Sequence, residues 1–423
     1  MREDAVKAPR ITDATVTRMA VPLKTRHDRH LTRENWDWTV FEIVRLATDS
    51  ALEGIGETMV FYNGGSVSEK ERQAVIGRSP YELLWDDSLG WGMQMAVYDL
   101  AAKAAEVPCY RLLGKKVRDW CPISWWTNCM SLEDWIEEVR EAVSLGYTSA
   151  KLKARPWRDL INDMHAVANV VPSGFQFDAD FNSFLLDVGE AVPVLRALEG
   201  VPGMHIFETP IPQGDVEGNR ILRQKVGLPI AMHYGSPPVQ TAIRDEVCDG
   251  FVIGGMAERT RQSGELAAQM SKPFFLQMVG TGLTTAWMLH WGAVLSWATW
   301  PAISCWEIYT DDLITERLAI NAGYGRVPEA PGLGIELDEE ALARYTVPRD
   351  YCPDPPRNLY RVIWPNGAQV TYRVGKEGVW DDFAAGNQPA FTPGVRLEII
   401  PDDGSQAWQE LHAACQQGPV RHV

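Results

Sequence analysis

The sequence lacks the features that mark a disulfide-bonded, zinc-binding or membrane-spanning chain. Its seven cysteines are scattered and form no C-x-x-C pair, which excludes a disulfide framework and favours free thiols in a reducing compartment. No apolar run is long enough to cross a bilayer, and the charged start Met1-Arg2-Glu3-Asp4 has no apolar leader core. We therefore expect a cytoplasmic chain with no membrane partner.

Positive charge is also scarce. Lys and Arg number 40 against 56 Asp and Glu, so the formal net charge is −16. Because a polyanionic surface repels phosphate backbones, we expect no nucleic-acid partner. A small anionic substrate remains compatible with this charge, since one pocket can be basic on an acidic protein.

The length of 423 residues exceeds one ordinary compact domain and suits a barrel of roughly 200–250 residues with a smaller domain. Residues 1–120, with part of 326–348, are predicted to form an α+β domain. Three strand-like segments in succession indicate an antiparallel meander, and a helical stretch over 69–113 follows them.

In residues 121–325, short apolar segments alternate with amphipathic helices, which predicts an α/β fold: a modified TIM-type (β/α) barrel of seven or eight strands. The candidate strands are 121–126, 149–153, 175–180, 204–208, 229–233, 250–253, 273–278 and 302–307. The candidate helices include 132–144, 184–198, 239–246, 257–270 and 284–298.

Residues 349–423 are predicted to form a C-terminal extension. Two strand-like segments, 360–364 and 370–374, flank Pro365-Asn366-Gly367, which is a strong β-hairpin signal. We expect the extension to pack on the N-terminal domain.

Two lysines end the second candidate strand of the barrel, where catalytic groups of such folds lie. The two-residue spacing of Lys151 and Lys153 places both side chains on one face of the strand. Two close ammonium groups repel, so the pKa of one falls and that amine becomes a usable base. The alternative is an edge strand with two solvated lysines, although the loop 146–150 favours the inward-facing arrangement.

Acids and a histidine end the next three candidate strands. Taken singly, each acid is more often a helix cap or an ion-pair partner. Together, Asp180, Glu208 and His233 would form a triangle of ligands, and carboxylate oxygens suit Mg²⁺. Asp178 shares a strand face with Asp180, so the sequence leaves both open as the ligand.

An ordered set of motifs resembles a known family. The motifs are Gly54-Ile55-Gly56-Glu57-Thr58, Tyr98-Asp99-Leu100-Ala101-Ala102-Lys103, Leu112-Leu113-Gly114, Lys151-Leu152-Lys153, Asp180-Phe181-Asn182, Phe207-Glu208-Thr209-Pro210, Gly254-Gly255 and Pro331-Gly332-Leu333-Gly334. Any one motif is weak, but the ordered set resembles the enolase superfamily, on its mandelate racemase and muconate lactonizing side. The resemblance covers roughly residues 10–345.

The resemblance implies a proton-abstracting centre. Lys153 would remove the proton α to a substrate carboxylate, while Lys151 would lower the pKa of Lys153 and contact that carboxylate. Asp180 and Glu208 would hold Mg²⁺. Abstraction places a second negative charge on the carboxylate, and a cation aimed at its oxygens lowers the barrier.

The resemblance also implies surrounding contacts with substrate. Asn182 would contact substrate or metal-bound water, and Glu307 would hydrogen-bond the substrate carboxylate. A lid over residues 25–38 would set specificity, because its basic side chains and a neighbouring tyrosine suit hydroxyls and a distal carboxylate. These candidate substrate contacts are His27, His30, Arg33 and Tyr62. The alternative for the lid is a solvated loop face.

His233 departs from the family pattern, which has Asp or Glu at this position. Imidazole suits Zn²⁺, Ni²⁺ or Fe²⁺ better than Mg²⁺. His233 would therefore bind another divalent metal, bind Mg²⁺ weakly, or act as a catalytic acid. The spacings around the third strand also differ from typical members.

The face opposite Lys153 departs as well. Muconate-type members have a lysine on the sixth strand, where this chain has Val252, Ile253 and Gly254. Gln277, a candidate substrate contact, aligns with the histidine of racemase-type members. A racemase needs a base on each face of the substrate, so a single-base reaction fits better.

Three functional hypotheses follow. The first is a dehydratase that eliminates water from an acid sugar, and the second is an isomerase or cycloisomerase of a sugar-acid lactone. The third is a non-catalytic, degenerate barrel that binds a ligand. We expect a small-molecule carboxylate partner and a homo-oligomer.

Overall fold

An antiparallel meander opens the fold. The computed structural model describes residues 8–31, 34–62, 64–373, 376–389 and 391–422. The elements of the N-terminal part, which we call the capping domain, are β1 (Ile11–Ala20), α1 (Thr25–Leu31), β2 (Val40–Thr48), β3 (Glu53–Met59), α2 (Glu69–Val75), α3 (Trp91–Ala104) and α4 (Tyr110–Leu113). β1, β2 and β3 pair in sequence order, as predicted, with β2 in the middle.

The stretch 69–113 is not the continuous helix that its apolar spacing predicts. It is divided into α2, α3 and α4, with short 3₁₀ turns between α2 and α3. Gly77 and Gly90 have φ angles of 77° and 79°, and Pro80 begins one of the 3₁₀ turns. The prediction was wrong there because these residues end regular helical geometry.

Close packing between α3 and β3 explains the two glycines of the Gly54–Glu57 motif. A Cβ atom at Gly54 would collide with the carbonyl oxygen of Ala96, and one at Gly56 would collide with that of Gly92. Glycine is therefore required for the helix backbone to lie directly on the strand.

The middle of the chain forms the predicted barrel. Its elements are β4 (Trp120–Pro122), β5 (Trp125–Thr127), α5 (Leu132–Ser144), β6 (Ser149–Lys153), α6 (Leu160–Ala168), β7 (Gln176–Asp180), α7 (Val188–Leu198), β8 (Met204–Glu208), α8 (Val216–Lys225), β9 (Ile230–His233), α9 (Val239–Arg244), β10 (Gly250–Ile253), α10 (Ala257–Gln269), β11 (Phe274–Leu276) and α11 (Gly282–Val294). Within the described residues, β5 to β11 form one parallel sheet of seven strands in sequence order.

A short extended segment closes this sheet into a barrel. Ala302 and Ile303 form parallel bridges to Ile123 and Gln277, on either side of the gap between β5 and β11. The eighth strand predicted over 302–307 is thus only partly formed, because a 3₁₀ turn (Trp306–Ile308) follows. The modified TIM-type barrel with an α+β capping domain is confirmed.

One buried carboxylate joins three of the sequence motifs. Asp99 of α3 accepts hydrogen bonds from the backbone N–H of Ile55 (2.9 Å) and of Leu333 (2.7 Å), and its carboxylate pairs with Lys103 at 2.7 Å. The three motifs are far apart in sequence, so this contact explains why they occur together. Through Asp99, the segment around Leu333 is hydrogen-bonded to the capping domain.

The rest of the chain contains β12 (Ile320–Asn321), β13 (Tyr324–Arg326), α12 (Glu339–Tyr345), β14 (Asn358–Ile363), β15 (Gln369–Tyr372), α13 (Lys376–Ala384), β16 (Arg396–Pro401), α14 (Gln406–Cys415) and β17 (Val420–His422). β14 and β15 form the predicted hairpin in a four-stranded antiparallel sheet of order β16-β14-β15-β17. The turn between them has Gly367 at φ 87°.

The first residues of the extension contact the N-terminal domain, as expected, because Arg18 of β1 donates to the carbonyl oxygen of Tyr351 at 3.0 Å. The later part of the extension packs on the barrel. The ring of Trp380 meets the edge of Phe184 at 4.2 Å between centroids, and Phe391 lies 5.9 Å from Phe181. Phe181 and Phe184 belong to the loop after β7. Local sequence patterns do not show which distant segment of the chain packs on that loop. The domain boundaries themselves remain predictions.

The described part of the chain contains no helix that is both long enough and apolar enough to cross a membrane. Its seven cysteines are free thiols.

Candidate active site

The two lysines of β6 meet carboxylates of the next two strands at the barrel mouth. Lys153 pairs with Asp180 in strand register, and Asp180 pairs with Glu208, so these residues lie at one level of the sheet. Lys153 Nζ donates to Asp180 Oδ2 at 2.5 Å. Lys151 Nζ lies 2.5 Å from Glu208 Oε2 and 3.4 Å from Asp180 Oδ2. The structure therefore brings the predicted lysines and acids together.

The environments of the two lysines drive their pKa values in opposite directions. Burial lowers the pKa of Lys153, and the charges of Lys151 and Arg155 lower it further, although Asp180 opposes them. Burial also disfavours the charged form of Lys151, but Glu208 and Asp180 outweigh it and raise its pKa above the ordinary value. Lys153 is thus the amine that more readily gives up its proton, while Lys151 stays charged.

Asp180 and Asp178 have different partners. Besides the lysines, Asp180 accepts the backbone N–H of Asn182 at 3.0 Å. Burial raises the pKa of Asp180, but Lys153, Lys151 and Arg155 outweigh it and lower the pKa below its usual range. Asp178 Oδ1 instead lies 3.2 Å from His205 Nδ1, two residue pairs farther from the mouth. Of the two candidates for the metal ligand, Asp180 is the one placed beside Glu208.

Glu208 is the acid whose surroundings most suggest a cation. Both its Oε atoms are buried, and Oε2 is paired with the Lys151 ammonium at 2.5 Å. The nearest groups are the Lys151 ammonium and His233 Nε2, which is 3.2 Å from Oε1. Buried carboxylate oxygens without hydrogen bonds are costly unless a charge compensates them.

The residues present fit a divalent ion by the chemistry of their donor atoms. Two carboxylates and an imidazole converge from β7, β8 and β9, and the ammonium of Lys151 lies between the two carboxylates. Within the described ranges, however, no three His, Cys, Asp or Glu side chains form a ready-made ligand group. Asp180, Glu208 and His233 are the residues that would hold the ion.

Arg155 is a site residue that our sequence reasoning missed. Its buried guanidinium forms a two-pronged ion pair with Glu34, with both N···O distances at 3.1 Å. It also donates to Asn182 Oδ1 at 2.9 Å, and Lys153 donates to the same oxygen at 3.1 Å. The spacing of two residues from Lys151 through Lys153 to Arg155, which lies just past the end of β6, was the signal that could have revealed it.

The opposite wall of the mouth contains a cavity of about 230 Å³. Gln277 accepts from Lys151 Nζ at 2.9 Å and donates to the hydroxyl of Tyr62 at 3.2 Å, so it links the lysines to the capping domain. Val252 and Gly254 also line the cavity. Among the described residues at the ends of β10 and β11, Val252, Gly254 and Gln277 provide no second base that faces Lys153.

Glu307 lies in the 3₁₀ turn rather than on a strand. Its Oε1 accepts the hydroxyl hydrogen of Tyr147, and Trp306 Nε1 donates to the same hydroxyl at 2.9 Å. The Tyr147 ring stands edge-on to Trp125, whose indole N–H is bonded to Glu138 of α5. The side chain of Glu307 thus faces the layer between β5 and α5, and its role as a substrate contact stays a prediction.

The predicted lid begins with a helix, α1, instead of a loop. His27 Nε2 lies 2.9 Å from Glu138, and His30 Nε2 lies 2.6 Å from Asp134, so both imidazoles are directed at α5. Both side chains are buried. Arg33, the third predicted contact on the lid, lies outside the described residues.

Comparisons with known proteins agree on the type of fold. Residues 134–341 match the family model described as "Enolase C-terminal domain-like". The chain is similar to D-xylonate dehydratase of Haloferax volcanii, with 24% identity over 74% of this chain and 86% of that relative. It is also similar to arabinonate dehydratase of Saccharolobus solfataricus, with 25% identity over 60% of this chain and 71% of the relative.

A solved structure shares the architecture. The crystal structure of muconate lactonizing enzyme from Pseudomonas fluorescens in complex with muconolactone superposes with a TM-score of 0.68 and 20% identity. The match covers 81% of this chain and 100% of that structure.

Proposed function

Because the chain belongs to the enolase superfamily, on its mandelate racemase and muconate lactonizing side, we propose that it is an acid-sugar dehydratase, a lyase that removes the proton α to a carboxylate. The observation that carries the proposal is the placement of Lys153 and Lys151 over Asp180 and Glu208, opposite the ends of β10 and β11, where Val252, Gly254 and Gln277 include no second base.

The relatives support an enzyme and the choice of reaction. Two of them are named as dehydratases of the sugar acids xylonate and arabinonate, while others are named as racemases or cycloisomerases. A racemase needs bases on both faces of its substrate, whereas elimination of water can proceed with one. The one-sided arrangement of lysines therefore favours dehydration. Isomerisation of a sugar-acid lactone, begun by the same lysine, is the alternative.

In the proposed reaction, Lys151 holds the substrate carboxylate and Lys153 takes the α-proton. Lys151 suits the first role because it stays charged, and Lys153 suits the second because burial favours its neutral amine. The electron pair of the broken C–H bond expels the β-hydroxyl, which leaves as water with the proton carried by Lys153. The resulting enol then tautomerises to a 2-keto acid.

Members of the superfamily generally depend on a divalent metal ion. We propose Mg²⁺ here, held by Asp180, Glu208 and His233, with another divalent metal as the alternative because imidazole is a poor Mg²⁺ ligand. When bound, the ion would stabilise the second negative charge that develops on the substrate carboxylate. Asn182 would orient Lys153, since the two are hydrogen-bonded. A cytoplasmic location and a homo-oligomeric state belong to the proposal as well.

Solvent exchange tests this function. The protein is incubated in D₂O with Mg²⁺ and a panel of aldonates and aldarates, and NMR follows the α-proton and the products. We expect a 2-keto-3-deoxy acid from at least one substrate. A lactone or rearranged acid as product would favour the isomerase. Absence of any exchange, with Mg²⁺, Mn²⁺, Ni²⁺ or Zn²⁺, would overturn the proposal.

A further inference from the structure

The cavity opposite the lysines contains an arginine that none of the proposed steps uses. Arg259 is the third residue of α10, and it lines the cavity together with His233, Tyr62, Ser263 and other residues from both domains. Arg259 is exposed, so a ligand can reach its guanidinium.

The double glycine after β10 lets this side chain lie across the backbone. Gly255 has a φ of 135°, which side chains rarely adopt, and a Cβ atom there would lie 3.1 Å from Arg259 Cδ. A larger residue at 255 would therefore press on the arginine. Conformation and space both require glycine where the arginine chain passes.

The positive charge of Arg259 is uncompensated among the described residues. Its guanidinium has no hydrogen bond or ion pair with them, in contrast to the neighbouring Arg261, which pairs with Glu258 at 2.9 Å and with Glu265 at 2.9 Å. The described lining of the cavity contains no carboxylate. On a protein with a net charge of −16, a cavity that contains an arginine and no acid is suited to an anion.

The backbone at the start of α10 is already occupied. The carboxylate of Asp87, from the capping domain, accepts the N–H groups of Glu258 (2.9 Å) and Arg259 (3.0 Å), and Gln94 accepts that of Ala257 at 2.7 Å. An anion in the cavity would therefore be bound by the arginine side chain rather than by the helix terminus. These bonds also fix the position of the arginine backbone relative to the capping domain.

The size of the cavity limits which part of a substrate it accepts. A volume of about 230 Å³ has room for several waters or a small polar group. That space suits the far half of a six-carbon acid whose near carboxylate is held by Lys151. Gln277 joins the two halves of the site, because it lines the cavity and also accepts from Lys151.

We propose that Arg259 binds a second carboxylate at the far end of the substrate, so that the substrates are sugar diacids (aldarates) rather than monoacids (aldonates). This inference rests on the proposed function. The sequence suggested that the lid binds this distal carboxylate. His27 and His30 of the lid are directed at α5, and we assign the contact to Arg259.

The test compares matched acids that differ only at the far carbon: D-glucarate with D-gluconate, and galactarate with D-galactonate. With Mg²⁺ present, we expect kcat/KM for a diacid to exceed that for its monoacid by at least about tenfold, as charge-assisted recognition of a carboxylate allows. Arg259→Gln should remove this preference by lowering the diacid value. The monoacid value should change less than about twofold, because the monoacid never used the arginine.

Binding is measured separately from turnover. Calorimetry with Lys153→Ala and with Lys153→Ala/Arg259→Gln gives the affinity for D-glucarate and D-gluconate without reaction. We expect tighter binding of the diacid only when Arg259 is present. Arg261→Gln, two residues away on the same helix and outside the cavity, is the control and should leave the preference intact.

The outcomes separate the two proposals. Proton exchange with equal use of diacids and monoacids, or a preference that survives Arg259→Gln, overturns the inference and leaves the dehydratase standing. Arginine-dependent binding of the diacid without any exchange overturns the dehydratase and supports Arg259 as a carboxylate reader. Absence of binding by any of the four acids overturns the inference, and the dehydratase is then tested by solvent exchange with the full panel of acids.

Discussion

The two walls of the barrel mouth differ in how their charged side chains are buried and paired. The lysine wall consists of Lys151, Lys153, Asp180 and Glu208 on β6, β7 and β8. Its charges are paired with one another, and all but the half-buried Lys153 are buried. The cavity wall consists of Val252, Gly254 and Gln277 at the ends of β10 and β11, with Arg259 of α10, and it is open.

The difference shows how one barrel can use one wall for proton transfer and the other for substrate recognition. Buried, mutually paired charges shift proton affinities and suit proton transfer, whereas an exposed arginine beside neutral side chains suits recognition. The proposed reaction started by one base rests on this difference, because the lysine wall contains the amine of Lys153 and the ends of β10 and β11 contain none.

The largest effect is expected at Lys153. Lys153→Met keeps the length of the side chain but removes the amine, and we expect kcat/KM to fall by at least about a thousandfold because no described group on the cavity wall replaces the base. Steady-state kinetics measure the loss, and circular dichroism checks the fold. Lys70→Met, at an exposed position of α2, is the control. A variant that kept a tenth of the activity would contradict the assignment of the base.

The second-largest effect is expected on stability, at a contact between the capping domain and the barrel that takes no part in the chemistry of the two walls. Glu57 of β3 is buried and accepts the N–H of Thr281 (2.9 Å) and the hydroxyls of Thr281 and Thr284 at the start of α11. Burial raises the pKa of Glu57 from 4.5 to about 7, although the threonine hydrogen bonds oppose the shift. Between these pH values the folded protein holds a proton that the unfolded chain has lost.

The contribution of Glu57 to the free energy of unfolding is therefore fully present below pH 4.5. It falls by about 3 kcal/mol as the pH rises from 4.5 to 7. Glu57→Gln should remove this part of the pH dependence. Urea titrations at several pH values measure the difference between wild type and variant, and Glu82→Gln, at an exposed position, serves as the control. A constant difference from pH 4.5 to 7.5 would contradict the predicted linkage.

The smallest effect is expected where the two walls join. Gln277→Leu removes the acceptor of Lys151 Nζ and the donor to Tyr62 while keeping the volume similar. A lost hydrogen bond to a charged group is worth about 1.5–3 kcal/mol, but Glu208 still holds Lys151, so we expect only a several-fold rise in KM and little change in kcat. Tyr62→Phe should show a weaker form of the same effect. A large loss of kcat would mean that Gln277 belongs with the proton-transferring groups.

The sequence was informative wherever a local repeat decides which way a side chain points. The period of two along β6 was enough to place Lys151 and Lys153 on one face, and the acids at the ends of β7 and β8 followed from the rule that barrel strands present their ends at one mouth. Local signals failed at Glu307, where the strand ends early and a 3₁₀ turn directs the carboxylate to Tyr147. They also gave no sign that His27 contacts Glu138, which is 111 positions away.

By itself, the sequence determined the enolase-type fold and the set of groups available for proton abstraction, because strand periodicity and ordered motifs are written in neighbouring residues. The tertiary structure decided which of these groups meet. It separated Asp180 from Asp178, surrounded Lys153 with Asp180, Asn182 and Lys151, and left Arg259 uncompensated among the described residues. The physical reason is that pairing and burial of charge depend on distances between strands and loops, which no short stretch of the chain encodes.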